Sequence, residues 1–257
     1  MKLQAIRSLA QKVNEKVEGK LRKSHVDRNP DAGFHEDGED HKSPASSSFE
    51  TLNGTKRGIC VPWNFEADDW ALYQDAIDSG KLSWVYIWEM WKPKGLPDKI
   101  NFIPMCRTAD GVNDIEYHLQ THKSDKQVHR FLGFNEPDID NQANISAKDA
   151  SKLWKNKLLP LLPDFKQAKG GNFQIVSPAV SNGPNGLPFL EEFFDQLAGV
   201  EEARVDCIGI HYYGSNVEHF KMYVKNVFDK FQKPIRVTEF ACTNWDTSNP
   251  VSEEDIL

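Results

Sequence analysis

Two glutamates close apolar, β-rich runs in this sequence: Glu136 in Gly133-Phe-Asn-Glu-Pro-Asp138 and Glu239 in Val237-Thr-Glu-Phe-Ala241. An isolated glutamate is most often a surface or ion-paired residue. Two of them at strand ends form a pair suited to one reaction, because breaking a glycosidic bond needs one carboxyl group to protonate the leaving oxygen and a second to stabilise or attack the oxocarbenium-like centre. A gap of about 5–5.5 Å between them would mean retention through a covalent intermediate on Glu239, and a wider gap inversion.

The neighbouring residues suit that chemistry. Asn135, directly before Glu136, is placed to hold a sugar 2-hydroxyl, a contact that strengthens in the transition state. His211, Tyr212 and Tyr213 end a strand next in order to that of Glu239, where a tyrosine hydroxyl could orient the carboxylate; aromatic core packing is the competing reading. Trp63, Trp88, Trp91 and Trp245 fall near strand ends, as does Arg107, so flat rings and a cation are candidates for a sugar-binding lining. Core packing competes for each tryptophan. HxH, HExxH and clustered His/Cys spacings are absent, so neither a metal nor an organic cofactor is expected.

Seven β-rich runs would have to position these residues: Arg57–Trp63, Trp84–Trp91, Asn101–Arg107, Arg130–Glu136, Gln174–Ser181, Cys207–Tyr213 and Ile235–Cys242. Helical segments are expected over Ala67–Ser79, Asn113–Thr121, Ala147–Phe165, Leu187–Leu197 and Val217–Phe231. The last has Val217, Phe220, Val224, Val227, Phe228 and Phe231 at three- and four-residue steps on one face. Ser146 and Asp149 resemble a capping box at the start of the third. Repeating βα units with apolar strands imply a parallel sheet covered by helices. A doubly wound sheet usually carries a glycine-rich phosphate loop after its first strand, and no GxGxxG or GxxxxGK[ST] is present. The expectation is therefore an α/β fold of the (β/α)8 TIM-barrel type, with active-site residues at the C-terminal strand ends. Seven strands are visible, so the barrel is expected to lack its last βα unit in this chain.

The chain has 257 residues, 31 Lys plus Arg and 38 Asp plus Glu, for a net charge of −7 at pH 7. That balance argues against a general nucleic-acid binder. Residues 1–56 hold 10 basic and 9 acidic side chains, two phenylalanines and no Trp or Tyr. A polar, disordered leader is expected over 1–56, with room for a basic amphipathic helix over 3–21, and one globular domain over 57–257. The start lacks the apolar stretch and cleavage site of a signal peptide, and no run approaches the roughly 18 apolar residues of a membrane span. Cys60, Cys106, Cys207 and Cys242 have no CxxC spacing and lie in or beside apolar runs, which favours buried thiols over disulfides.

Leu132-Gly-Phe-Asn-Glu-Pro-Asp138, Ser177-Pro-Ala-Val180, Asp206-Cys-Ile-Gly-Ile-His-Tyr-Tyr213 and Val237-Thr-Glu-Phe-Ala241 together resemble glycoside hydrolase family 128, a fungal-type family within clan A of retaining glycosidases. The resemblance covers about residues 57–250. It implies a (β/α)8 barrel, action on β-1,3-glucan with retention, Glu136 as acid/base and Glu239 as nucleophile. A monomer with a polysaccharide partner is expected. A glucan-binding protein without turnover and a transglycosylase are the alternatives. The implied substrate points to the cell wall, whereas the missing signal peptide points to the cytoplasm.

Overall fold

Proline punctuates the strands. In the computed structural model, which describes residues 56–171, 173–200, 205–244 and 251–252, the β runs are present but shorter than expected. They are β1 (Gly58–Cys60), β2 (Trp84–Tyr86), β3 (Asn101–Phe102), β4 (Arg130–Leu132), β5 (Gln174–Val176), β6 (Ile208–Tyr213) and β7 (Ile235–Ala241). Pro62, Pro104, Pro137 and Pro178 follow β1, β3, β4 and β5 within six residues. A residue without an N–H cannot donate to a ladder, so regular pairing stops near it. In β2 the break is conformational: Trp88 takes φ 58°, in the left-handed region.

Every observed pairing is parallel. β1 pairs β2 with Gly58 opposite Trp84, β2 pairs β3, β4 pairs β5 with Arg130 opposite Gln174, and β6 pairs β7. Single bridges join the three groups, Met105 to Leu132 and Val176 to Cys207 among them. The spatial order of the described strands is thus the sequence order, with no reversal of the kind that a doubly wound sheet requires. Tyr86, Ile103, Met105, Leu132, Val176 and Cys207 form one buried cluster on the inner face. Phe131, Ile175, Ile208 and Ile210 belong to a second cluster between strands and helices. Apolar residues on both faces explain the near-continuous hydrophobic runs.

The helices are α1 (Gln74–Asp78), α2 (Ile115–His122), α3 (Ala147–Leu153), α4 (Leu162–Ala168), α5 (Gly186–Leu197) and α6 (Val217–Phe231). Tight 3-10 segments, Ala67–Tyr73 and Asp110–Asp114, lead into α1 and α2. The single helix expected over Ala147–Phe165 is instead α3, a π turn over Trp154–Leu158, a 3-10 turn and α4, because Pro160 and Pro163 interrupt the ladder. At its start Ser146 accepts from the Asp149 N–H at 3.1 Å, but its hydroxyl, rather than its N–H, donates to the Asp149 carboxylate. On α6 the seam runs through Tyr223, Val224, Val227 and Phe231, while Val217 and Phe228 are exposed. Asn216 caps α6 by accepting from the Glu218 and His219 N–H groups. The proposed leader helix over 3–21 and Trp245 lie outside the described residues.

Gly133, directly after β4, packs closely against its surroundings. A Cβ there would sit 2.8 Å from Pro178 N and 2.8 Å from the Trp154 ring. Gly133→Ala is therefore expected to cost about 1–3 kcal/mol by overpacking. At about 2–4 °C per kcal/mol for a chain of this size, thermal unfolding would read this as a clear drop in Tm.

Candidate active site

Local backbone irregularities aim the two glutamates at each other. Strand alternation on β7 turns Ile235 and Val237 towards the helix layer. Unbroken alternation would turn Glu239 the same way. The β6–β7 register shifts between Ile210 and His211, so that Ile210 pairs Val237 but His211 pairs Glu239, leaving Thr238 as the extra residue of a bulge. Glu239 is thereby brought to the inner face beside His211, and Phe240 returns to the helix side, where it stacks on Phe220. Glu136 takes φ 42°, a left-handed conformation before a proline that favours extended backbone, and its N–H donates to the Ala179 carbonyl at 2.8 Å. Such a conformation stores about 1–3 kcal/mol and persists where surrounding structure enforces it.

One oxygen of Glu136, one ring nitrogen of His211 and one oxygen of Glu239 lie within 4.8 Å of one another. His211, fully buried, hydrogen-bonds Glu136 Oε1 through Nδ1 at 2.9 Å, and its Nε2 is 3.5 Å from Glu239 Oε1. Three donors hold Glu239: Trp88 Nε1 at 2.7 Å and Tyr86 OH at 3.0 Å on Oε1, and Tyr213 OH at 2.6 Å on Oε2. Burial, then the carboxylate itself, pushes the Tyr213 hydroxyl well up from its ordinary value. Tyr86 is likewise raised, first by burial and then by Cys60 and Glu239. Both phenols thus remain neutral donors. Glu136, His211 and Glu239 are also metal-ligating types, but the donors on both oxygens of Glu239 suit an anchored carboxylate better than a coordinating one.

The pair opens into a cleft of about 640 Å³ whose lining includes Trp63, Trp88, Glu89, Trp91, Arg107, Asn135 and Gln142. Trp63 and Trp91 are exposed, at 69% and 46%. Arg107 meets Glu89 at 3.5 Å, and burial raises the Glu89 carboxyl despite that cation. Asn135 is buried; its Nδ2 donates to Gln142 Oε1 at 3.2 Å, while its buried Oδ1 has no protein partner. Trp88, expected to stack on sugar, is half-buried and also serves Glu239 as a hydrogen-bond donor.

Two expectations need correction. Tyr212 does not line the cleft: it alternates with His211 and Tyr213, packs on Phe220 and Tyr223, and donates to the Asn216 carbonyl at 3.2 Å. The buried-thiol reading holds for Cys106 and Cys207, but Cys60 is exposed and Cys242 half-buried. Although Cys60 is an exposed residue, its thiol meets Tyr86, and desolvation together with Glu239 pushes it up to about 11. Sequence reasoning missed Tyr86, Glu89 and Gln142. Tyr86 was accessible to it, since it lies two residues before Trp88 and shares its face; Gln142 carried no such signal.

Residues 60–256 match the family described as glycosyl hydrolase catalytic core. The chain is similar to alkali-sensitive linkage protein 1 of Schizosaccharomyces pombe, with 29% identity over 185 residues that make up 72% of this chain and 32% of that protein. It thus spans about a third of that relative's length. Among solved structures, a family 128 subgroup I endo-β-1,3-glucanase from Amycolatopsis mediterranei, in complex with laminaritriose, has a TM-score of 0.59 at 26% identity, covering 79% of this chain and 78% of the other. A family 128 subgroup III curdlan-specific exo-β-1,3-glucanase from Blastomyces gilchristii has a TM-score of 0.57 at 29% identity, covering 66% and 72%.

Proposed function

Because the chain belongs to the glycosyl hydrolase catalytic core family, we propose that it cleaves β-1,3-glucan with retention of configuration, Glu136 acting as acid/base and Glu239 as nucleophile. The observation that carries this reading is the proximity of the two carboxylates, with an oxygen of each and a His211 nitrogen inside 4.8 Å. Retaining enzymes hold their carboxyl groups about 5–5.5 Å apart, whereas inverting enzymes leave about 6.5–9.5 Å for a water. The substrate class is supported by the resemblance to family 128 and by the β-1,3-glucanases among the similar structures.

In this mechanism Glu239 attacks the anomeric carbon while Glu136 gives its proton to the departing glycosidic oxygen, and Glu136 then removes a proton from the water that hydrolyses the glycosyl intermediate. Tyr213, Trp88 and Tyr86 restrict Glu239 to one orientation, which serves the attack because reacting atoms must be held close to their productive geometry. Through its Nδ1 contact His211 positions Glu136. The unpartnered, buried Asn135 Oδ1 suits a sugar 2-hydroxyl. The exposed rings of Trp63 and Trp91 in the cleft lining suit stacking on sugar faces. The seven parallel strands are read as part of a (β/α)8 barrel, residues 57–257 as the catalytic domain and 1–56 as a leader outside it.

Proton NMR of the first products from a laminari-oligosaccharide distinguishes the stereochemistry before mutarotation. A β-anomer appearing first is the expected result. An α-anomer would overturn retention and the nucleophilic role of Glu239.

A further inference from the structure

The N-terminal ends of the same strands carry an unusual pairing of like charges. Arg130 opens β4 and Arg236 is the second residue of β7, at the opposite end of the sheet from the glutamate cleft. Gln174, which opens β5, accepts with a single Oε1 from Arg130 Nε at 2.7 Å and Arg236 Nη2 at 3.4 Å. The two donor nitrogens are therefore no farther apart than the sum of those distances. The Arg236 guanidinium also donates towards the Cys207 sulfur.

None of the ion pairs described among these residues places a carboxylate on either guanidinium. Asp206, nearby in sequence to Cys207, is engaged by Lys166 Nζ at 3.3 Å and the Ile175 N–H at 2.8 Å. Arg236 Nε is buried and has no hydrogen-bond partner. Burial, and then the Arg236 charge, push the Arg130 guanidinium down to about 10. Two cations sharing one neutral acceptor repel each other, and a buried N–H without a partner adds to the cost. An anion that accepts from both guanidiniums offsets their mutual repulsion, and their planar forks fit two-oxygen acceptors.

We propose that Arg130 and Arg236, bridged by Gln174, form a binding site for a small oxyanion, phosphate or carboxylate, at the end of the strand array remote from the glutamates. The site rests on no assumption about the glucan reaction. Its occupant adds to stability, because whatever binds the native state and not the unfolded chain shifts the equilibrium by mass action.

Thermal unfolding of the full chain in potassium phosphate, potassium acetate and potassium chloride, matched in pH and ionic strength, tests the proposal. A saturable rise of about 3–6 °C over chloride is expected in phosphate or in acetate at about ten times the dissociation constant. The salt that produces it identifies the source of the oxyanion, and Arg236→Gln should abolish the rise. A localising measurement avoids any substitution: the stabilising anion should slow phenylglyoxal modification of Arg130 and Arg236 in the native protein, read by peptide mass spectrometry. A response to both oxyanions no greater than to chloride, with unchanged modification rates at both arginines, would overturn the proposal.

Discussion

Glu239→Gln is expected to abolish hydrolysis of a soluble β-1,3-glucan, with kcat falling by at least about 10⁴-fold, the scale on which loss of a covalent nucleophile is felt. Glutamine is the more informative replacement. Its oxygen can still accept from Tyr86 and Trp88, and its NH2 can donate to the Tyr213 hydroxyl oxygen, so the packing around position 239 is largely preserved with one hydrogen bond reversed. Glu239→Ala should be equally inactive but also less stable, since it strips an acceptor from donors that are buried or nearly so, each costing about 1–3 kcal/mol when left unmade. Release of reducing sugar and a thermal melt, measured on both variants, separate the two effects. Full activity in a folded Glu239→Gln protein would sink the assignment.

Glu136→Ala should behave differently, because an acid/base acts twice and can be bypassed at each step. On polysaccharide the variant loses about 10²–10⁴-fold for want of a proton donor to the leaving oxygen. An activated aryl β-glycoside needs no such proton, so the glycosyl intermediate on Glu239 forms but its hydrolysis lacks a base. Azide, which requires no deprotonation before it attacks, is expected to restore part of the turnover and to leave as the β-glycosyl azide. Product analysis on the aryl substrate decides the matter. Neither acceleration nor an azide adduct would remove Glu136 from the acid/base role. The pair of experiments is informative as a pair, since Glu239→Gln forms no covalent intermediate for azide to intercept and so gives no β-glycosyl azide.

Much of the frame was legible in the chain. The seven β runs were placed correctly, and their parallel arrangement followed from helices between apolar strands. Their lengths were overread because apolar residues continue past Tyr86 and Leu132, whereas regular pairing does not. The outward turn of Tyr212 was also legible: Ile208 and Ile210 face the helices, so a period of two sends Tyr212 the same way and His211 and Tyr213 inward. Gln142 was not legible, since it lies in a loop where no periodicity constrains the side chain.

Glu239 shows the limit most clearly. The sequence by itself determined that a glutamate lies near the C-terminal end of the seventh strand, that another lies just beyond the fourth, and that aromatic residues gather around both, because composition and short-range periodicity are written locally. The same periodicity, carried from Val237, sends Glu239 towards the helices. Only the tertiary structure decided otherwise: a bulge at Thr238, formed by pairing with β6, turns the carboxylate inward, and Tyr86, Trp88 and Tyr213 then hold it. Those partners lie 153, 151 and 26 residues away in sequence. The physical reason is that a strand's register and the hydrogen bonds that reward it belong to two chain segments at once, and neither segment alone encodes the slip of one residue that brings the two glutamates together.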